Sequence, residues 1–252
     1  MRINEIVQAK EVRWLLEEKY GGERTGAAEQ DIARIRNGEP VDYVIGFVDF
    51  LGCRIDLSQR PLIPRPETEH WVQRAIRDLK GAPRPPDVLD LFAGSGCIGI
   101  AILRHLPFAT VDFADVSGRC LKQVGLNVVG NGIAPERCRI VQSDVFAGIT
   151  GAYDCIVANP PYIPALRTSR VQPSVLRYEP KRALFGGADG LHYIERFLRG
   201  AAVHLVPGGR VYMEFDPPQK QRIAALLKEE GYRSIAFSKD QFDRWRSVTA
   251  VR

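Results

Sequence analysis

Val88-Leu89-Asp90-Leu91-Phe92-Ala93-Gly94-Ser95-Gly96-Cys97 decides the fold of this chain. Val88 to Leu91 reads as a strand that buries its apolar residues. A glycine-bearing turn follows, and the apolar residues from Cys97 to Leu106 fall at helical spacing. Glycines at such a junction let a ligand approach the backbone closely, and the helix N-terminus offers unpaired N–H groups to it. The glycines are not read as a Gly-x-Gly-x-x-Gly fingerprint, because Gly94, Gly96 and Gly99 follow Phe92 and Ala93, and no phosphate-loop lysine comes after them, so a pyrophosphate is the weaker reading.

Downstream, the period alternates between strand and helix. Strands are predicted at Thr110 to Ala114, Arg139 to Gln142, Tyr153 to Ala158 and Arg210 to Phe215. Helices are predicted at Gly118 to Val129, at Gly190 to Leu205 (ended by Pro207-Gly208-Gly209) and at Pro217 to Glu230. That alternation implies an α/β fold, a parallel sheet with helices on both faces. The last two strands, Ser234 to Ser238 and Trp245 to Val251, are close enough to form an antiparallel end. Upstream, Ile6, Val7, Val12, Leu15, Leu16 and Tyr20 give a helical face that stops at Gly21-Gly22, and Ala27 to Arg36 is a second short helix. Asp42 to Ile55 alternates around Gly46 and Gly52 as a hairpin does. Leu62-Ile63-Pro64-Arg65-Pro66 is stiff and extended, and leads into a helix that buries Trp71, Val72, Ala75, Ile76 and Leu79. The expected division is a short helical region at 1–38, a hairpin linker at 39–62 and one large domain at 63–252.

The 252 residues are 45% hydrophobic and 26% charged, which is an ordinary soluble composition. No apolar run has the ~20 residues of a spanning helix, and Met1 to Glu5 lacks the pattern of a secretory signal, so a cytoplasmic monomer with no membrane partner is expected. The five cysteines form no Cys-x-x-Cys pair and have no close His partner, so neither a disulfide framework nor a metal site is read. The net charge is +5, and the densest basic stretch runs from Arg167 to Arg182. Such a stretch suits phosphates, an acidic protein or plain solvent.

Three acidic or glycine-bearing positions follow successive strands. Phe92 to Gly96 closes the first, Asp115 the second, and Asp144 with Val145 comes after the third. Asp115 is placed to accept from both hydroxyls of a ribose. Asp144 is placed to accept from an adenine amino group, with Val145 and Phe146 against its ring. Taken singly, each carboxylate also reads as a helix cap or solvated turn. Together they form one crevice at the carboxyl ends of the strands, where open α/β sheets bind ligands. An acidic ribose clamp without phosphate-binding chemistry fits S-adenosylmethionine better than NAD.

The fourth of these strands runs into Asn159-Pro160-Pro161-Tyr162. Two prolines cannot donate to a sheet, so the strand stops there and leaves a rim of carbonyls, one carboxamide and an aromatic ring. A planar –NH2 group suits that rim. The same tetrapeptide also reads as a plain loop start.

With these segments in view, the chain resembles class I S-adenosylmethionine-dependent methyltransferases, and more narrowly the PrmC/HemK family of peptide chain release factor N5-glutamine methyltransferases. The resemblance rests on Pro40 to Gly46 with Phe50, on Leu62 to Glu69, on Asn159 to Tyr162, on Tyr178-Glu179-Pro180, on Ala183-Leu184, on Gly186-Gly187 and Asp189-Gly190-Leu191, and on Gly208-Gly209 with Glu214. It implies a Rossmann-like seven-stranded sheet, mostly parallel with an antiparallel last strand. It implies transfer of a methyl group from S-adenosylmethionine to the glutamine amide of a Gly-Gly-Gln motif in a class I release factor, leaving S-adenosylhomocysteine. Asn159 and the Pro160 carbonyl would then hold the two amide hydrogens, with Pro161 beside them and Tyr162 against the amide plane. Phe92, Ala93, Gly94, Ser95, Gly96, Asp115, Asp144, Val145 and Asn159 would surround the cofactor, without a metal. The chain departs from the family in its shorter lead-in before Pro40, in Phe92-Ala93 and in Phe215-Asp216-Pro217-Pro218. A nucleic-acid amino methyltransferase, taking a base amine at the same rim, is the alternative.

Overall fold

The computed structural model describes residues 3–252, and the side chains of residues 3–7 and of Arg170 lie outside that description, among them Ile6 and Val7 of the first helical face. Helices α1 (Ile3–Tyr20), α2 (Gly26–Arg36) and α3 (Val41–Ile45) build a small cluster around Leu15, Ile32, Ile35, Val41, Val44 and Ile45. The hairpin begins later than its alternation predicts, because Val41 to Ile45 is helical. Pro40 caps that turn, Gly46 ends it in the left-handed region at φ 101°, and Val41, Val44 and Ile45 share one face at helical spacing. Strands β1 (Phe47–Phe50) and β2 (Cys53–Asp56) then pair antiparallel across Leu51-Gly52, both at positive φ.

Helix α4 (Pro66–Lys80) opens with Pro66 in its first turn and buries Trp71, Val72, Ala75, Ile76 and Leu79, as the spacing predicts. Beyond it lie β3 (Asp87–Leu91), α5 (Cys97–His105), β4 (Thr110–Asp115), α6 (Gly118–Gly130), β5 (Cys138–Gln142) and β6 (Tyr153–Ala158). The basic stretch contains two short helices, α7 (Pro173–Tyr178) and α8 (Lys181–Leu184). The chain finishes with α9 (His192–His204), β7 (Leu205–Glu214), α10 (Lys220–Glu229), β8 (Arg233–Lys239) and β9 (Trp245–Val251). Strand β7 starts ahead of Pro207-Gly208-Gly209 rather than after it. Leu205 already pairs with Tyr153, and the Pro-Gly-Gly segment is absorbed by a register shift before Arg210 pairs with Cys155.

The seven strands lie in the order β5-β4-β3-β6-β7-β9-β8. All neighbours are parallel except those of β9, which runs antiparallel to both β7 and β8. The sheet is therefore mostly parallel with an antiparallel last strand, as expected. One face is covered by α4, α5, α6 and the hairpin around Phe50, Ile55, Ile100 and Phe113. The other is covered by α9 and α10 around Phe197, Leu198, Ile223 and Phe215. Strand order reverses between β3 and β6, and there the carboxyl ends of two adjacent strands open a crevice.

The hairpin is tied to that crevice through α6. Asn127 donates to the Asp56 carbonyl and to the Ser95 carbonyl, and accepts from Asp56 N–H at 2.7 Å. Its neighbour Asn131 pairs in the same way with the backbone of Arg54. Two asparagines four apart on one helix face thus satisfy an exposed strand edge and brace the glycine turn.

Candidate active site

Parallel register sets Leu91 beside Ala114 and Ala158, and Asp115 beside Gln142. Phe92, Asp115, Ser143 and Asn159 consequently stand in one row at the sheet's carboxyl edge. Three connected hollows open along it. The first, of about 590 Å³, is lined by Phe92, Asp115, Val116, Asp144, Val145 and Tyr193, with Arg182 at its rim. The second, of about 510 Å³, lies over Ala93 to Ser95 and reaches Thr68 and Asn159. The third, of about 430 Å³, is lined by Arg65, Asn159, Pro160, Tyr162, Ile163 and Val175. Asn159 borders the second and third; Ala183 borders all three.

Asp115 is held from below. Its Oδ2 accepts from Gly94 N–H at 2.9 Å and its Oδ1 from Ser117 N–H at 2.8 Å, which leaves the remaining lone pairs facing the first hollow. Burial raises its pKa, and the N–H groups of Ser117 and Gly94 oppose that rise. Phe92 (φ 62°) and Val145 (φ 55°) both occupy the left-handed region, which for non-glycine side chains costs about 1–3 kcal/mol each. Asp144 borders the hollow but is exposed and paired with Arg196 at 3.0 Å. Phe146 does not face the ligand side as predicted: its ring stacks on His204 at 5.0 Å and on Phe197 within the core. Val116 and Tyr193 line the hollow in its place. Neither was singled out from the sequence, because Tyr193 comes from a distant helix and Val116 carries no motif.

The run Gly94 to Gly99 does carry Gly-x-Gly-x-x-Gly spacing, so spacing alone does not separate a dinucleotide from another adenosine ligand. Electrostatics separates them. Asp90 is fully buried behind this loop, its Oδ2 accepting from Gly99 N–H at 2.9 Å, and Asp115 stands close enough to repel it. With Asp90 holding its proton, the charge that a pyrophosphate would meet there is that of Asp115, which does not oppose a neutral or cationic group.

Asp90 also yields a pH prediction. Burial pushes its carboxyl up to about 8, with the Gly99 N–H opposing and Asp115 reinforcing. The unfolded chain ionises it near ~3.9. Stability gained by keeping the proton is complete below that value and is lost as pH rises through about 8. Asp90→Asn has no proton to lose, so its Tm is expected to gain several degrees on the wild type between about pH 5 and about pH 8. A constant Tm difference across that range overturns the assignment.

The rim of the third hollow is built from distant segments. Tyr162 donates to Glu214 Oε1 at 3.0 Å, and Thr68 (2.6 Å) and Trp71 (2.9 Å) donate to Glu214 Oε2. Thr68 and Trp71 lie three apart on α4, on the face turned to the end of β7. Glu214 itself is buried one strand over from Asn159. Asn159 Nδ2 donates to Thr68 Oγ1 at 3.2 Å. Among the described residues, Asn159 Oδ1 and the Pro160 carbonyl take no donor, and both residues border the hollow. The tetrapeptide is held in place by the later glycine segment. Gln219 donates to the carbonyls of Tyr162 and Gly190 at 2.9 and 3.0 Å. A Cβ at Gly190 would lie 2.1 Å from the Tyr162 carbonyl, so only glycine fits there. Glu179, buried, accepts from Ile63 N–H at 3.1 Å and from the Arg65 guanidinium. The Ile-Pro-Arg-Pro and Tyr-Glu-Pro segments are thus two halves of one wall. Of the basic stretch, Arg182 faces Asp115 and Arg177 stacks over Tyr178.

Among the described residues there is no cluster of three or more His, Cys, Asp or Glu that would hold a metal, and no helix long and apolar enough to cross a membrane.

Comparison with known proteins matches residues 76–177 to the family described as Methyltransferase small domain. The release factor glutamine methyltransferase of Bacteroides thetaiotaomicron is 34% identical over 228 residues, covering 89% of this chain and 80% of that one. A 4-amino-L-phenylalanine/4-methylamino-L-phenylalanine methyltransferase of Streptomyces pristinaespiralis is 37% identical, covering 85% and 73%. Among solved structures, the T. thermophilus 16S rRNA N2 G1207 methyltransferase, determined with AdoMet and guanosine, superposes with a TM-score of 0.59 at 20% identity, over 82% of this chain and 49% of that one. That likeness is one of fold. The relatives carry the assignment: this chain belongs to the release factor glutamine methyltransferase family.

Proposed function

We propose that this protein transfers a methyl group from S-adenosylmethionine to the side-chain amide nitrogen of the glutamine in the Gly-Gly-Gln motif of a class I release factor, acting in the cytoplasm as a monomer. One observation carries the reading: two acceptors that take no donor among the described residues, Asn159 Oδ1 and the Pro160 carbonyl, border the third hollow, and Asn159 also borders the second. When bound, S-adenosylmethionine supplies an electrophilic methyl group. Phe92 to Gly96, Asp115, Asp144 and Val145 are the residues that would hold it.

An amide nitrogen is a poor nucleophile because its lone pair is delocalised into the carbonyl. Asn159 Oδ1 and the Pro160 carbonyl accept its two hydrogens, which polarises the nitrogen and fixes the direction in which lone-pair density develops. Tyr162, anchored on Glu214, packs on the amide plane, and Pro161 keeps the loop stiff. Reacting atoms held ~3 Å apart gain their rate from orientation and from dipoles already in place. Neither acceptor is a strong base, and none is needed before transfer, since the amide proton leaves to water afterwards.

The rim would grip any planar –NH2 group, and the Streptomyces relative is named for an arylamine. The test therefore offers labelled S-adenosylmethionine with four acceptors: a class I release factor, its Gln→Ala variant, 4-amino-L-phenylalanine and ribosomal RNA. Label confined to the intact release factor is the expected result. Label on the arylamine or RNA alone overturns it.

A further inference from the structure

We infer that Thr68 is a positioning residue which, through its hydrogen bond to Glu214, sets which end of the Asn159 carboxamide faces the acceptor. The inference rests on the proposed function in one respect, that Asn159 receives the acceptor's –NH2 group.

The direction follows from counting protons. Glu214 is surrounded by three donors: Trp71 Nε1, which can only donate, the Tyr162 hydroxyl and the Thr68 hydroxyl. Thr68 has one hydroxyl proton. At 2.6 Å from Glu214 Oε2 that proton must lie between the two oxygens, because without it two lone pairs would face each other. Thr68 Oγ1 then has only lone pairs left for its other neighbour, Asn159 at 3.2 Å. The group turned to Thr68 must therefore be the amide –NH2, and Oδ1 must point to the acceptor side. A flipped Asn159 would leave Thr68 and Oδ1 facing each other with no proton between them, and would turn donors toward an incoming donor.

The relay is built to hold one state. Thr68, Trp71 and Glu214 are all buried to within a few per cent, so water does not supply a substitute proton. Burial opposes the charge of Arg246, yet the carboxylates of Glu214, Asp240 and Glu67 outweigh burial and hold it, with Asp240 at 3.5 Å as its ion-pair partner, so a cation stands in the field of Glu214. A charge-assisted bond at Thr68 is stronger than a neutral one, and the preference is passed to Asn159 through a side chain that borders the second hollow but not the third.

Three variants test this with the release factor as acceptor. Thr68→Val keeps the shape and removes the hydroxyl. Its kcat is expected to fall about 10- to 100-fold, part of what one lost preorganised group costs, with the Kd for S-adenosylmethionine within about threefold by calorimetry. Thr68→Ala is the second hydroxyl-free variant should valine not be accommodated. Thr68→Ser restores the relay and is expected to keep at least about a third of wild-type kcat. A merely structural role would lower Tm and raise the cofactor Kd in step with the loss of kcat, whereas a positioning role lowers kcat with the cofactor Kd kept. A folded hydroxyl-free variant with wild-type kcat overturns the inference, as does an inactive Thr68→Ser. Failure of the underlying reading looks different: the wild type would not label the release factor, or Asn159→Ala would label it at the normal rate.

Discussion

Asn159→Ala is expected to lower kcat for the release factor about a thousandfold, while the Kd for S-adenosylmethionine changes by less than about tenfold. The size follows from what is removed. The rim has two acceptors at hand, and the loss of one leaves the amide with a single hydrogen bond about which it can swing. A preorganised group of this kind is worth about 3–4 kcal/mol in the transition state. The modest cofactor effect follows from position, since Asn159 only borders the hollow over Ala93 to Ser95, which holds most of its own lining. Asn159→Asp is a useful companion. It retains an acceptor but has no proton for Thr68, so it is expected to fall between alanine and the wild type. Single-turnover kinetics with saturating cofactor measures the effect on chemistry, and calorimetry measures binding. Turnover near wild type in the alanine variant would remove Asn159 from the reaction.

Asp115→Ala is expected to weaken S-adenosylmethionine at least about 100-fold with a much smaller change in kcat once the cofactor is saturating. A ribose offers two hydroxyls to one carboxylate, and hydrogen bonds to a charged group contribute about 1.5–3 kcal/mol each. The side chain also accepts from Gly94 and Ser117, so its removal loosens the glycine turn beneath the ligand as well. Asp115→Asn retains one acceptor and much of that bracing, and is expected to lose less. Titration calorimetry with the cofactor alone decides it. An unchanged Kd would show that Asp115 only braces the turn.

Local regularities in the chain determine most of the fold. The seven strands, the helices between them and the glycine turn after β3 are set by periods of apolar residues and by breakers, and both act within a few residues. Where two periods compete, the sequence misleads. Asp42 to Ile45 passes for the start of the hairpin, yet Val41, Val44 and Ile45 fit one helical face, and packing against α1 and α2 selects the helix. Phe146 misled for a related reason. Adjacency to Asp144 put it near the ligand, while the positive φ of Val145 turned its ring toward Phe197 and His204. Strand ends were displaced where a proline or glycine was absorbed by a register shift rather than ending the element, as at Pro207.

By itself the sequence determined the strand-turn-helix unit at Val88 to Cys97, the row of side chains that follow successive strands, and the stiff Asn-Pro-Pro-Tyr rim. Each is a consequence of backbone stereochemistry over a short stretch. Only the tertiary structure decided that Thr68, Trp71 and Tyr162 converge on Glu214, that Glu179 closes on Arg65, and that Gly190 backs the Tyr162 carbonyl. Those contacts join residues from 28 (Gly190 and Tyr162) to 146 positions apart, around α4, the loop after β6 and the end of β7. Their physical content is the matching of buried donors to buried acceptors. Proton counts around a carboxylate are settled by which groups the folded chain brings within 3 Å, and no local pattern in the sequence encodes that set.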